Sequence, residues 1–279
     1  MNILFYGNCQ IEAIKTVLNL DTNLFPVQVV IPCFKTEVTE LQMQQCIQTS
    51  DVIIMNPIQN NYRNKNYLSS EYVIYHSKPS CKIIFINNCH FDFYYFDSKI
   101  VHDNYKITPY HQLYLYGCYK ENRNINYYLT NIVNNKELQN KEKLESFANA
   151  SLDELLCRYN LMLLYKKANP NKDIQFISVY DFIKDNYKYK LLFYTVNHPS
   201  KFLIQYICEN ILNILRAPNT IRYELDMFDH TRCFLYKCIQ NVVFFDVTQH
   251  TPLIDGKQNP IEICKMYHKM YSEDNLILE

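Results

Sequence analysis

Apolar and polar positions follow two rhythms in the first hundred residues. The run Asn2 to Tyr6 (NILFY) is continuously apolar after its first residue, the pattern of a strand buried on both faces. After Gly7-Asn8-Cys9-Gln10, the residues Ile11, Ile14, Val17 and Leu18 recur at helical spacing. Val27 to Ile31 reads as a second strand. Leu41, Gln44, Gln45 and Gln48 lie in a surface helix that ends at Thr49-Ser50, Val52 to Met55 is a third strand stopped by Pro57, Leu68 to Ser77 is a helix, and Lys82 to Ile86 is a fourth strand. Short apolar strands alternating with helices predict right-handed crossovers and a parallel sheet.

From about Val101 to Ala168 no strand pattern is visible. Ser151 followed by Glu154 reads as a capping-box start, and Leu152, Leu155, Leu156, Tyr159, Leu163 and Leu164 form an apolar stripe. Ile174 to Ile177 fits a strand or a helix start. Lys190 to Val196 (KLLFYTV) is the candidate for the fifth strand. Phe202, Ile204, Ile207, Ile211, Leu212 and Leu215 then keep helical spacing up to Pro218, and the tail carries one apolar run, Val242 to Phe245, and a last helix around Ile261 to Tyr271. The expected architecture is α/β: a parallel sheet of about five strands flanked by helices. With no linker rich in Gly, Ser or Pro, residues 1–279 read as a single domain, with a mainly helical insertion at about 101–170 and a less patterned C-terminal segment at about 219–279.

Composition narrows the function classes. Of 279 residues, 48% are apolar and 20% charged, which excludes a disordered chain. Lys+Arg and Asp+Glu are both 28, so the chain lacks the excess of cations that nucleic-acid binding requires. No apolar run reaches the length of a membrane span, and no signal peptide is read at the start. The 11 cysteines include no CxxC pair, so reduced thiols in the cytoplasm are expected (the host's, if the genome is viral). Many Tyr, Asn, Ile and Lys beside 3 Gly is the bias that AT-rich codons produce. His230, Cys233 and Cys238 are metal-ligand types without a second paired half, so no metal is expected.

In an open parallel sheet, ligands bind beyond the C-terminal ends of the strands. Those ends carry Gly7-Asn8-Cys9-Gln10, then Asn56-Pro57 with Gln59, Tyr62 and Arg63, then Asn88 with Phe91, and finally Asn197-His198. A thiol at a helix start gains thiolate character from the helix dipole. An imidazole can act as general base, and carboxamides can donate to an oxyanion. Cys9, His198, Asn8 and Asn88 together would make an acyl-transfer site. No GxxxxGK[ST] or GxGxxG occurs, so phosphates would need Lys or Arg, or a helix N-terminus, with Arg63, Lys65, Arg158 and Lys201 the candidates by position.

GNCQ after the first strand and the NHPS block resemble the SGNH/GDSL hydrolase arrangement, with Cys9 in place of Ser and Thr195 in place of Asp. The chain is more closely similar to the WcbI-type polysaccharide biosynthesis family. The similarity rests on GNCQ, Pro57-Ile58 with Tyr62, the fragment Asn87 to Tyr94 with Asn88, Phe91 and Tyr94 in register, SLDELLCRYN with Arg158, and Leu192 to Ser200. It covers roughly residues 1 to 215. The resemblance implies an acetyltransferase that uses acetyl-CoA and acts on a hydroxyl or amino group of a sugar. Cys9, His198, Asn8 and Asn88 would be its catalytic groups, and Gly7, Gln10, Asn56, Gln59, Tyr62, Arg63, Phe91, Tyr94, Arg158 and Asn197 its binding groups. The alternatives are an SGNH-like esterase or deacetylase, and a non-catalytic protein that binds CoA or glycan. The partner expected is a sugar acceptor, with no nucleic acid and no membrane span, and a homo-oligomer is compatible with the sequence.

Overall fold

The computed structural model describes residues 1–34, 37–100, 110–136 and 138–273. In chain order the elements are β1 (Asn2–Gly7), α1 (Cys9–Leu18), β2 (Val27–Pro32), α2 (Glu40–Thr49), β3 (Val52–Met55), α3 (Ser70–His76), β4 (Lys82–Ile86), β5 (Ser98–Ile100) and β6 (Tyr110–Gln112). There follow α4 (Leu113–Lys120), α5 (Ile125–Tyr127), α6 (Lys141–Ala168), β7 (Asp173–Ile177), α7 (Tyr180–Asn186), β8 (Phe193–Thr195), β9 (His198–Pro199), α8 (Lys201–Leu215) and α9 (Pro260–Glu273). The residues group into two compact units. The first comprises 1–89, 154–183 and 201–227, and the second 90–153, 184–200 and 228–279.

The first unit is built on a five-stranded sheet of order β2-β1-β3-β4-β7, parallel throughout. Reversal of direction at β1 sends the β1–β2 and β2–β3 crossovers to opposite faces, because each crossover is right-handed. Leu4, Tyr6, Ile53, Met55, Ile83 and Phe85 point to one face, where Met43 and Ile47 of α2, Val73 and Ile74 of α3 and Met162 of α6 cover them. The alternate residues Ile3, Phe5, Ile54 and Ile84 are equally buried. Burial on both faces is why these strands read as unbroken apolar runs. Helices α1 and α8 pack together through stripes that include Ile11, Ile14 and Val17 on one and Leu203, Ile207 and Ile211 on the other.

The fifth strand is β7, paired in register from Lys82↔Asp173 to Ile86↔Ile177. The segment Lys190 to Val196, expected to be that strand, instead supplies β8 of a two-stranded antiparallel hairpin in the second unit. Its turn decides the matter. Thr195 Oγ1 accepts from the backbone N–H of His198 (3.1 Å), which folds the chain back at once. Apolar runs of this length do not distinguish a sheet-core strand from a hairpin arm.

Two further expectations are corrected. The helix assigned to a start at Ser151 begins at Lys141. Asn140 Oδ1 accepts from the N–H of Lys143 (2.9 Å) and caps it, while Ser151 is buried inside the helix. Between 101 and 168, where no strand was expected, β6 pairs with β5 over three residues, too few for a periodic signature. The rest of that stretch is mainly helical where described, with turns at 121–124 and 134–136, and 101–109 and 137 lie outside the described residues. Val242 to Phe245 forms no strand.

The second unit has an aromatic core. Phe91, Phe93, Tyr94 and Phe193 are fully buried and meet edge to face or stacked. A buried polar knot joins Asp97 to Tyr236 and Gln112, and Gln112 also bonds the backbone of Phe234. Among the described residues, Asn19, Asn61, Arg63, Asn64, Asn122, Asn135, Arg216 and Asp255 take left-handed backbone conformations. Arg216 ends α8 this way, two residues before Pro218.

Candidate functional site

The turn from β1 into α1 needs glycine for a steric reason. A Cβ on Gly7 would lie 2.5 Å from Asn56 Oδ1 and 2.7 Å from Ile11 Cγ1. Asn56, buried at the end of β3, can approach this closely only because no side chain intervenes. Its Oδ1 accepts from the backbone N–H of Asn8 (3.3 Å) and its Nδ2 donates to Ile86 O (3.2 Å), tying the ends of β1, β3 and β4 together.

Asn8 is the N-cap of α1. Its Oδ1 accepts from the N–H of Gln10 (2.9 Å), and its Nδ2 donates to Asn88 Oδ1 (3.2 Å). The Asn88 carboxamide is thereby oriented. Gln10 clamps the loop after β4 in both directions: Nε2 donates to Cys89 O (2.7 Å) and Oε1 accepts from Cys89 N (3.0 Å). Asn87, fully buried, donates through Nδ2 to Leu155 O (3.2 Å).

These groups edge a cavity of about 340 Å³ lined by Asn8, Cys33, Asn56, Gln59, Tyr62 and Asn88, with Pro57 and Ile58. Five of the residues expected to act are therefore brought together. Cys33 was missed by the sequence reading. It follows β2, whose end was not considered, and its N–H donates to Gly7 O (2.7 Å). Burial pushes the Cys33 thiol up, while the Tyr62 hydroxyl and the Arg63 guanidinium favour its thiolate. Arg63, in left-handed conformation, lies over the Tyr62 ring (5.7 Å) and donates to Phe34 O (2.7 Å). Arg158, on α6, is engaged by Glu154 one turn earlier.

Cys9 is the first residue of α1 and half-buried, and it is not among the residues lining that cavity. The backbone N–H groups of Cys9 and Gln10 both favour the thiolate. Burial outweighs them, Glu12 adds to it, and the thiol titrates above its usual range. The helix start alone therefore does not make this cysteine a resting thiolate, contrary to the expectation from its position.

Asn197, His198, Phe91 and Tyr94 belong to the second unit. Phe91 and Tyr94 are core residues, and Tyr94 Oη donates to Tyr187 O (2.7 Å). His198 lies in β9, not at the end of a strand of the five-stranded sheet, so the placement expected for it falls with the reassignment of Lys190 to Val196. Its Nε2 is 2.9 Å from Tyr110 Oη, which also donates to Asn197 Oδ1 (2.9 Å). With that hydroxyl proton given to Asn197, Nε2 carries the ring hydrogen and Nδ1 is the basic nitrogen. Nδ1 has no hydrogen-bond partner among the described residues. The ring stacks on Phe228 (4.6 Å), and burial, followed by His230, brings its pKa down to about 4. Thr195, at the position where the SGNH pattern has Asp, bonds Asn197 and the backbone instead. Tyr110 was missed because it lies 88 positions from His198 in a tyrosine-rich chain.

A family model described as polysaccharide biosynthesis enzyme WcbI matches residues 2–220. The chain belongs to the WcbI family. It is accordingly a polysaccharide biosynthesis enzyme of that type, and the matched range runs from β1 past α8. One similar solved structure is that of WcbI, described as a novel polysaccharide biosynthesis enzyme, in native form without a disulfide bond between CoA and one of its cysteines. It aligns with a TM-score of 0.77 and 21% identity over 98% of this chain and 90% of that one, which shows a shared fold. No curated protein sequence matches the chain. Among the described residues, no helix is long and apolar enough to cross a membrane.

Proposed function

We propose that this WcbI-family chain transfers an acetyl group from acetyl-CoA to a hydroxyl or amino group of a sugar. The observation that carries the reading is the set of carboxamides Asn8, Asn56 and Asn88, fixed around the N-terminus of α1, the helix that Cys9 begins. Donors held rigidly in a partly water-excluded site stabilise the oxyanion of acyl transfer without reorganising. Asn8 holds the oxygen of Asn88, so the Asn88 amide hydrogens remain to donate. The related structure whose description mentions CoA and a cysteine supports the donor. Arg63 and Lys65, just after Gln59 and Tyr62, are cations of the kind its phosphates need.

In the reading favoured here, the Cys9 sulfur attacks the thioester carbonyl. The C–S bond to CoA breaks, CoA leaves as its thiol, and an acetyl-cysteine forms. The acceptor oxygen or nitrogen then attacks that carbon, the bond to Cys9 breaks, and the acceptor proton returns to the sulfur. The resemblance assigns the general base of this route to His198, which burial keeps neutral at pH 7. Because burial raises the Cys9 pKa, this route requires that base for the first step as well.

Calorimetry with CoA and transfer of labelled acetyl to sugar acceptors test the proposal. CoA should bind in the micromolar range, about −8 kcal/mol. Cys9→Ala should lower turnover about a thousandfold while leaving CoA affinity within a few fold. No heat at millimolar CoA would refute the donor. Activity retained in Cys9→Ala but lost in His198→Ala would refute the covalent route in favour of direct attack by the acceptor. Rapid turnover of nitrophenyl acetate without transfer would make the chain a hydrolase.

A further inference from the structure

A second cavity of about 550 Å³ lies in the first unit, between α3 and the end of α6. It shares no lining residue with the cavity at Asn8, yet the two are neighbours along the chain: Gln59 and Tyr62 line one, Asn60 and Asn66 the other. Its walls carry Tyr72, Tyr75, Tyr165, Asn60, Asn66 and Asn169. Glu71 is the one charged residue among those lining it, with no lysine or arginine.

The aromatic surfaces are held in place. The Tyr165 ring stacks on Phe85 at 5.0 Å and 4° between planes. Tyr72 donates its hydroxyl to Glu40 (3.1 Å) and packs against His76 (4.1 Å), which also meets Tyr75 edge-on (4.9 Å). Tyr75 is 80% exposed, more than any other large apolar side chain among the described residues. Asn169 is fixed by its Nδ2 bond to Tyr165 O (2.9 Å).

We infer that this groove binds a neutral glycan chain. A sugar ring presents an apolar C–H face and a rim of hydroxyls that both donate and accept. Ordered tyrosine faces match the first, and carboxamides, which also both donate and accept, match the second. With no lysine or arginine in its lining, the groove lacks the cation that favours nucleotides, CoA or sulfated chains, and Glu71 disfavours polyuronates. The volume is that of a ligand site, about 300–1,000 Å³. The inference rests on the sugar acceptor of the proposed function and extends it: the groove holds sugar residues away from the reacting one. It is independent of the donor.

Saturation-transfer NMR on the full chain tests this with maltopentaose, cellopentaose, chitopentaose and mannopentaose, and with pentagalacturonate as the anionic control. At least one neutral pentasaccharide should bind and the control should not. Tyr75→Ala, at an exposed position, should weaken binding about fivefold, the equivalent of one lost aromatic contact. Tyr75→Phe, which keeps the face, should stay within about twofold of the parent. CoA affinity by calorimetry should be equal in all three proteins, so failure of the donor reading and failure of the groove register separately. If none of the four sugars binds, or the one that binds is indifferent to Tyr75→Ala, the assignment is overturned.

Discussion

Gly7→Ala is the sharpest probe of how the ends of β1, β3 and β4 are joined. The added methyl would sit 2.5 Å from Asn56 Oδ1 and 2.7 Å from Ile11 Cγ1, both inside contact distance. Asn56 is buried, so it cannot swing into solvent. Overpacking of this kind costs about 1–3 kcal/mol, and displacing Asn56 from Asn8 N adds about 1 kcal/mol for the lost hydrogen bond. A total near 3 kcal/mol lowers Tm by roughly 5 °C for a chain of this size. Calorimetric melting of Gly7→Ala, Asn56→Ala and the double variant forms a cycle. Removing the Asn56 carboxamide removes the nearest clash and leaves only Ile11. Gly7→Ala should then cost at least about 1 kcal/mol less in the Asn56→Ala background than in the parent. Strict additivity, or a Gly7→Ala protein that melts within a degree of the parent, would show that the close approach has no energetic weight.

Gln10→Ala leaves the buried N–H and C=O of Cys89 without their partner and should cost about 3 kcal/mol in urea unfolding, at about 1–3 kcal/mol per orphaned group; a shift below about 0.5 kcal/mol would contradict the clamp. The second unit should be acid-labile. His198 and His250 titrate near 4 when folded, against an ordinary 6.5, so the unfolded chain binds more protons between those values and stability falls as pH falls. Asp97, raised by burial to about 6, opposes them, since the folded chain binds its proton more tightly between about 6 and 3.8. Buried His111 also titrates near 4, so the balance of three histidines against Asp97 is about two protons near pH 5, or about 2.7 kcal/mol lost per pH unit. Thermal melts unchanged from pH 7 to pH 4.5 would count against it.

Strands β1, β3 and β4 were legible because both their faces are covered, so hydrophobicity alone marks them. Strand β7 is an edge strand with exposed Gln175, and its weaker pattern lost to the more apolar Leu191–Val196 run. Amphipathic helices α1 and α8 were visible through their apolar stripes, whereas the start of α6 was set by Asn140, well ahead of the stripe used to find it. At the candidate site, Asn8, Asn56 and Asn88 were found because strand ends can be located from strands. The bonds among them could not be, since carboxamide orientation is a tertiary property. The Cys9 titration was misjudged for a related reason: position reports the helix dipole, but burial depends on what packs against it. Cys33 and Tyr110 carried no local signal that separated them from other cysteines and tyrosines.

Asparagine occupies five of the left-handed positions among the described residues: Asn19, Asn61, Asn64, Asn122 and Asn135. Only 3 glycines serve the whole chain, and asparagine is the next residue that tolerates this conformation, at a strain of roughly 1 kcal/mol or less. A codon bias that says nothing about chemistry thus sets the turn chemistry of the molecule. It also sets how the molecule ages. Asparagine deamidates by attack of the following backbone nitrogen on its carboxamide, fastest where the next residue is glycine. The residues that follow here are Leu20, Tyr62, Lys65, Arg123 and Lys136, all bulky. The scarcity of glycine that places asparagine in these turns also keeps its fastest deamidation partner away, so the turns should lose their amides slowly.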